Sequence, residues 1–304
     1  MIYTITLNPS IDYIVPVDKI ELGGLSYMKN DYKLPGGKGI NVSRILKALS
    51  TESIALGFVG GFTGKFIEDA LDELDVRTNF INIKEDTRIN IKLKSDQETE
   101  INGRGPALSD EEVAAFLKQL EKIKEGDTVI LSGSKPPSLP EDFYEKLIQQ
   151  VTSQGAEFAI DTTGAALEAS LSYKPLLVKP NIHELEALFN VKLETNEEVI
   201  AYGKKLLEKG AKHVIISMGG DGALLISERG TYKAEAPKGK LINSVGAGDS
   251  MVAGFISSYL KSKDSVQSFR TSVASGSATA FSEDLASTEV IKDLLAHVQV
   301  ENLK

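Results

Sequence analysis

Residues 195–222 read TNEEVIAYGKKLLEKGAKHVIISMGGDG, and the order of signals in this stretch decides the fold class. Thr195 and Glu198 stand at capping-box spacing, in which each side chain satisfies a backbone N–H of the other at a helix start. The periodic run behind them ends at Gly210. Residues 214–216 are then apolar without alternation, the pattern of a strand buried on both faces of a parallel sheet. The Gly-rich Ser217-Met218-Gly219-Gly220-Asp221-Gly222 lies directly at the end of that strand, and a further apolar strand, 223–227, follows it.

The same alternation runs outward from there. Ser109 and Glu112 repeat the capping spacing ahead of Val113, Phe116, Leu117 and Leu120, and near-continuous apolar strands are expected at 128–131, 158–160 and 176–178. From about Gly246 the pattern is helical. The expected architecture is α/β, with a three-layer α/β/α body built on a mainly parallel sheet. Towards the N-terminus come a strand at 2–7, an alternating stretch at 11–17, an extended piece at 25–34, a strand at 54–59 and a helix at 64–74. Residues 78–105 then lack any helical pattern and read as short alternating strands, 88–93 and 98–101, around the turn Ser95-Asp96-Gln97. Two insertions, about 11–34 and 87–104, are thus expected to form a small β-sheet lid on a single domain spanning 1–304, placed to close over a cleft and exclude water.

Composition excludes several classes. Of 304 residues, 41% are hydrophobic and 25% charged, and there is no Trp, the balance of an ordinary globular chain. With 34 Lys plus Arg against 43 Asp plus Glu, the formal charge of -9 opposes binding driven by a nucleic-acid backbone. An anionic substrate must therefore be met by a few placed cations and amides. The absence of Cys rules out disulfides and thiolate metal sites and fits a cytoplasmic setting. The first residues alternate as a strand does, without a signal peptide's basic and apolar regions. No uncharged apolar run reaches the roughly 18–20 residues a spanning helix needs.

Two Gly-rich turns open helices. Asn243-Ser244-Val245-Gly246-Ala247-Gly248-Asp249-Ser250 precedes the apolar run 251–259. Its glycines permit a tight turn in which the amides of Ala247, Gly248 and Asp249 point at one anion, reinforced by the helix N-terminus. A carboxylate repels phosphate, so Asp249 is either a plain helix cap or a base that takes a proton from an attacking hydroxyl. Lys33-Leu34-Pro35-Gly36-Gly37-Lys38-Gly39-Ile40-Asn41 is the second turn. It either serves chain reversal alone or lets a ligand approach the main chain, with Asn41 one turn inside able to hydrogen-bond sugar hydroxyls. The loop Ser217 to Gly222, at a strand end, suits ATP phosphates or ribose, or a simple hairpin. Lys179-Pro180-Asn181-Ile182-His183-Glu184 leaves a strand for a helix, and Asn181 with Glu184 either caps it or orients Mg2+ through its waters.

Other motifs fail on spacing. Gly60 to Lys65 is one residue short of a P-loop, and Phe66 replaces the required Ser or Thr. His183, His213 and His297 are scattered without metal-ligand spacing. No Gly-x-Gly-x-x-Gly with a following acidic residue supports a dinucleotide-dependent oxidoreductase.

Taken in order, Gly36-Gly37-Lys38-Gly39-Ile40-Asn41 and residues 243–249 resemble the two signatures of the ribokinase-like (PfkB) carbohydrate kinase family. Asn8-Pro9-Ser10-Ile11-Asp12, Ser132-Gly133-Ser134 and Lys179-Pro180-Asn181 with Glu184 are similar to its other motifs. Thr87-Arg88-Ile89-Asn90 and Thr99-Glu100-Ile101-Asn102-Gly103-Arg104-Gly105-Pro106 resemble the family's phosphofructose branch. The resemblance implies phosphorylation of a sugar phosphate with ATP and Mg2+, fructose 1-phosphate being preferred to tagatose 6-phosphate and fructose 6-phosphate. The two arms of furanose fructose nearly exchange under a half-turn, so site residues alone separate these substrates poorly. A silent sugar-phosphate sensor on the same scaffold would tolerate loss of Asp249, which this chain keeps.

By the same resemblance Asp249 is the base, with Gly246, Ala247 and Gly248 forming the anion hole. Asp12, Gly37, Asn41 and Asn90 hold the sugar. Arg88, Arg104 and Lys135 meet its existing phosphate, with Lys38 a weaker candidate. Lys179, Asn181, Ser217, Met218, Gly219, Gly220, Asp221, Gly222 and Gly248 hold the nucleotide, and Glu184 reaches Mg2+ through water. Any one lid Arg can equally be surface charge. Exposed lid edges, together with the resemblance, imply a homodimer joined through the lids.

Overall fold

The computed structural model describes residues 1–303. Strand Ile2–Thr6 lies inside the large sheet, paired in parallel with Ser53–Gly60 on one side and Thr128–Ser132 on the other. Beyond Thr128–Ser132 the parallel order continues through Glu157–Asp161, Leu177–Val178 and His213–Ser217. Three antiparallel strands, Ala223–Ser227, Gly230–Ala234 and Val300–Asn302, complete that edge. Arg77–Thr78 and Ile81–Ile83 pair with Ser53–Gly60 at the other edge.

The unalternating apolar runs have their physical reason in this arrangement, because helices cover both faces of the parallel strands. Val129, Ile130 and Leu131 are all fully buried, although neighbouring side chains point to opposite faces. One face packs Phe116, Phe143, Leu147 and Phe158; the other packs Ile45, Phe255 and Phe269. Each such Phe contributes on the order of 2 kcal/mol of transfer free energy, so both helical layers are held mainly by burial. The capping boxes Ser109 with Glu112 and Thr195 with Glu198 both form. No helix among the described residues is long and apolar enough to cross a membrane.

Two expected boundaries move. The helix read at 64–74 is Gly61–Glu73. Of the extended piece read at 25–34, the strand is only Tyr32–Gly36, and residues 18–31 carry just the isolated bridge Val17 to Met28. Gly23-Gly24 interrupts that segment, and Leu22 and Leu25 on either side are 97% and 70% exposed, with no sheet face to lie on.

A second, four-stranded sheet runs in the order Tyr32–Gly36, Ser10–Pro16, Arg88–Lys94, Glu98–Asn102. Its central pair is parallel, and Asp12 lies opposite Asn90, Tyr13 opposite Ile91. Period-two alternation therefore gives it two unlike faces. Ser10, Asp12, Arg88 and Asn90 line a cleft of about 1140 Å³ over the large sheet, where open α/β sheets place ligands beyond the carboxyl ends of their strands. Tyr13, Ile89, Ile91 and Ile101 fall on the other face.

Candidate active site

Asp249 lies in the first turn of helix Ala247–Ser262, 5% exposed, and Asn41 Nδ2 donates to its Oδ2 at 2.9 Å. Asn41 belongs to the start of helix Lys38–Ala48, so the two Gly-rich turns, more than two hundred residues apart in the chain, meet in one site. Gly246 makes the entry possible. It caps the helix at φ 78°, a left-handed conformation that favours glycine, and a Cβ there would stand 2.6 Å from Leu285 Cδ2.

The amides of Gly248 and Asp249 carry no hydrogen bond, as the opening turn of a helix dictates. Ala247 N differs from expectation. It donates to Ser244 O at 3.3 Å, so the cradle of three amides reduces to two open ones. A buried cation supplements them: a Cβ on Gly248 would lie 2.9 Å from Lys179 Nζ, and Lys179 is 6% exposed. Two open helix-terminal N–H groups and one ammonium together have the chemistry to hold an anion.

Asp161 completes the charge arrangement, and the sequence motifs missed it. It ends strand Glu157–Asp161, is 3% exposed, and lies 3.3 Å from Lys38 Nζ and 3.6 Å from Lys179 Nζ. Burial works against its ionisation, but the charges of Lys179 and Lys38 outweigh it and hold the carboxyl below the usual aspartate range. Asp249 is moved the other way. Burial first and the charge of Asp161 second push it up to about 6, against the opposing pull of Lys38, Asn41 and Lys179. Lys38 loses to burial but gains more from Asp161, Asp249 and Glu184, and stays above its ordinary value. Two carboxylates whose surroundings drive them apart are the electrostatic mark of an acid–base site.

The remaining expected residues divide. Asp12, Gly37, Lys38, Asn41, Arg88 and Asn90 line the cleft, as do Lys179, Asn181, Glu184, Ser217, Gly219, Gly220 and Gly222. Met218 and Asp221 do not, because the turn Gly219–Asp221 buries the first and points the second outward. Lys135 also lies off the cleft, with its Nζ donating to Leu139 O at 2.9 Å. Arg104 is exposed and off the cleft, where its carbonyl accepts from Asn8 Nδ2 at 3.1 Å. Arg88 reaches the cleft and gives three of its five N–H groups to backbone carbonyls, to Gly103 O and Asn8 O at 2.9 Å each and to Pro9 O at 3.4 Å. It ties the end of the first strand to the four-stranded sheet.

Asn181 and Glu184 form a reciprocal capping box, with Glu184 Oε2 accepting from Asn181 N at 2.9 Å. Among the described residues no cluster of three His, Asp or Glu side chains could hold a metal by itself. Glu184 lines the cleft with one oxygen outside the capping bond, so the residues present fit an ion carried mainly by phosphate oxygens and water.

A family model described as pfkB family carbohydrate kinase matches residues 4–291. The chain is 54% identical over 303 residues to a 1-phosphofructokinase of Bacillus subtilis (strain 168), covering 100% of each. It is 36% identical to a D-tagatose-1-phosphate kinase of Bacillus licheniformis, again covering 100% of each. Among solved structures, phosphofructokinase-2 from Escherichia coli in complex with fructose-6-phosphate superimposes with a TM-score of 0.91 at 30% identity. That match covers 97% of this chain and 98% of the other.

Proposed function

The chain belongs to the pfkB family of carbohydrate kinases, and from that premise we propose that it phosphorylates fructose 1-phosphate with ATP, giving fructose 1,6-bisphosphate. The observation that carries the reading is Asp249, buried in the same helix turn as the open amides of Gly248 and Asp249 and beside Lys179. The substrate is taken from the 54% identical relative.

Asp249 accepts the proton of the acceptor hydroxyl, whose oxygen bonds to the terminal phosphorus as the bond to ADP breaks. Raised to about 6, its carboxyl is still mostly ionised at neutral pH yet basic enough to take the proton. The Gly248 and Asp249 amides and Lys179 stabilise charge on the transferred group. Asn41 orients Asp249 through its 2.9 Å bond. Asp12, Gly37 and Asn90 hold the sugar, and Ser217, Gly219, Gly220 and Gly222 the nucleotide. Glu184 would hold a Mg2+ through its waters, and that ion would supply neutralisation of phosphate charge. The four-stranded sheet closes over the bound sugar as a lid.

Arg88, which lines the cleft, is assigned to the existing phosphate. Arg104 and Lys135 are withdrawn from that role, because both lie off the cleft. A coupled ADP-release assay across fructose 1-phosphate, fructose 6-phosphate, tagatose 6-phosphate and tagatose 1-phosphate tests the substrate. The specificity constant is expected to be highest for fructose 1-phosphate. Preference for a 6-phosphate or for tagatose 1-phosphate overturns the substrate assignment, and no ADP release with any of them overturns catalysis itself.

The outer face of the lid supports a homodimer. Ile89 and Ile101 are 39% and 57% exposed and share that face with Tyr13 and Ile91, while the neighbouring loop exposes Leu22, Leu25 and Tyr27. An apolar patch of this extent, bordered by two unpaired strand edges, calls for cover, and a second lid supplies it. Sedimentation of the Ile101→Glu variant is expected to show monomer where the parent shows dimer. A monomeric parent protein refutes the pairing.

A further inference from the structure

Ser10 lines the cleft yet has no part in the mechanism above. Its hydroxyl donates to Asp12 Oδ1 at 2.8 Å. Asn90 Nδ2 donates to the same oxygen at 3.0 Å and to Ser10 Oγ at 3.0 Å, which closes a three-residue ring. Ser10 is 1% exposed and Asn90 7%. The third lid strand contributes by having no side chain at Gly36: a Cβ there would stand 2.5 Å from Asp12 Cγ and 2.7 Å from Oδ2.

Two acceptors remain after these contacts. Asp12 Oδ2 has no hydrogen bond, and Asn90 Oδ1 is buried without a partner. A buried carbonyl oxygen left unpaired costs about 1–3 kcal/mol, and because Asn90 lines the cleft a bound hydroxyl would recover that cost. Two bonds to a single carboxylate oxygen also fix the rotation of the carboxylate plane, so the other oxygen is aimed before substrate arrives. Asp12 and Asn90 are direct cross-strand partners, which puts the two open acceptors side by side.

We propose that Ser10 and Asn90 are positioning residues for Asp12, fixing its carboxylate so that Oδ2 accepts from one sugar hydroxyl while Asn90 Oδ1 accepts from the neighbouring one. This rests on the reading of Asp12 as a sugar ligand. The lid thereby contributes a pre-set pair of acceptors for adjacent hydroxyl donors, and Ser10 acts only through Asp12.

The test is a double-mutant cycle of Ser10→Ala, Asp12→Ala and both together, followed by kcat and the Michaelis constants for fructose 1-phosphate and ATP. Ser10→Ala removes a hydrogen bond to a charged group, so the sugar's Michaelis constant is expected to rise about tenfold. The constant for ATP and kcat should each stay within about twofold. Because Ser10 acts through Asp12, the double variant should be no worse than Asp12→Ala to within about twofold. Losses that multiply in the double variant, or that fall equally on kcat and on ATP, make Ser10 merely structural and overturn the proposal, as does an unchanged Ser10→Ala enzyme. If Asp12→Ala itself leaves the sugar's constant unaltered, the prior assignment of Asp12 is what has failed.

Discussion

Asp249→Asn is expected to lower kcat by about a thousandfold, within the range a positioned general base contributes, while the Michaelis constants of both substrates change little. The replacement is nearly isosteric, and its amide oxygen can still accept from Asn41 Nδ2, which now bonds Asp249 Oδ2 at 2.9 Å. What disappears is an acceptor for the proton. The pH dependence separates this cause from misfolding. In the parent enzyme the base works deprotonated, so kcat/KM should fall as pH drops through about 6, the value to which burial and Asp161 push the carboxyl. The variant's residual rate should lose that acid limb. Turnover within a few-fold of the parent, or an acid limb that persists unchanged, would remove Asp249 as the base.

The site's legibility in the sequence follows from how local each part is. Gly246 to Asp249 and Gly36 to Asn41 could be read because a turn that opens a helix writes its requirements into adjacent residues. The body could be read because strands covered on both faces, such as Thr128–Ser132, must be apolar throughout. Strand Arg88–Lys94 of the four-stranded sheet announced two unlike faces through its alternation of Arg, Ile, Asn, Ile, Lys, Leu, Lys. Spacing cannot say which partner a long cation chooses. Lys135 and Arg88 look free as sequence, yet the folded backbone offers each of them carbonyls. Ala247's amide is likewise taken by Ser244 O, a contact set by the turn's exact conformation rather than by its glycine content.

Asp161 was illegible for a different reason. It belongs to no Gly-rich turn, and it closes an apolar run as many strand-terminal residues do. The usable signal was its position: a carboxylate at the carboxyl end of a parallel strand stands where such sheets bind ligands. Its partners Lys38 and Lys179 are remote in sequence and come from two different helix entries. Only the fold shows that one carboxylate holds two ammonium groups at the cleft while raising the affinity of a second carboxylate for protons.

That geometry sets the cost of Asp161→Asn. Removing one member of a buried ion cluster costs about 3–5 kcal/mol, and because the Lys38 side chain is 38% exposed and partly solvated, about 3 kcal/mol is the better figure here. For a chain of this size that corresponds to a fall in Tm of roughly 5 °C or more. The pH dependence follows from the sign of the shift. Asp161 is held below its ordinary value in the fold, so its stabilisation is complete above the unfolded pKa of about 3.9 and is lost only as pH falls through the lower folded value. Asp161's own contribution to the gap between parent and variant should therefore be constant through neutral pH and be lost only below about pH 4, while the gap widens as pH falls through about 6, where Asp249 takes up its proton in the parent before it does so in the variant. Activity carries an independent signature. With the carboxylate gone, one of the causes raising Asp249 is removed, while Lys38 and Lys179 still favour its ionised form. The acid limb of kcat/KM in Asp161→Asn should thus move to lower pH, a displacement that general loosening of the fold does not produce. A variant as stable as the parent, with its acid limb unmoved, would show that Asp161 neither anchors the two lysines nor tunes the base.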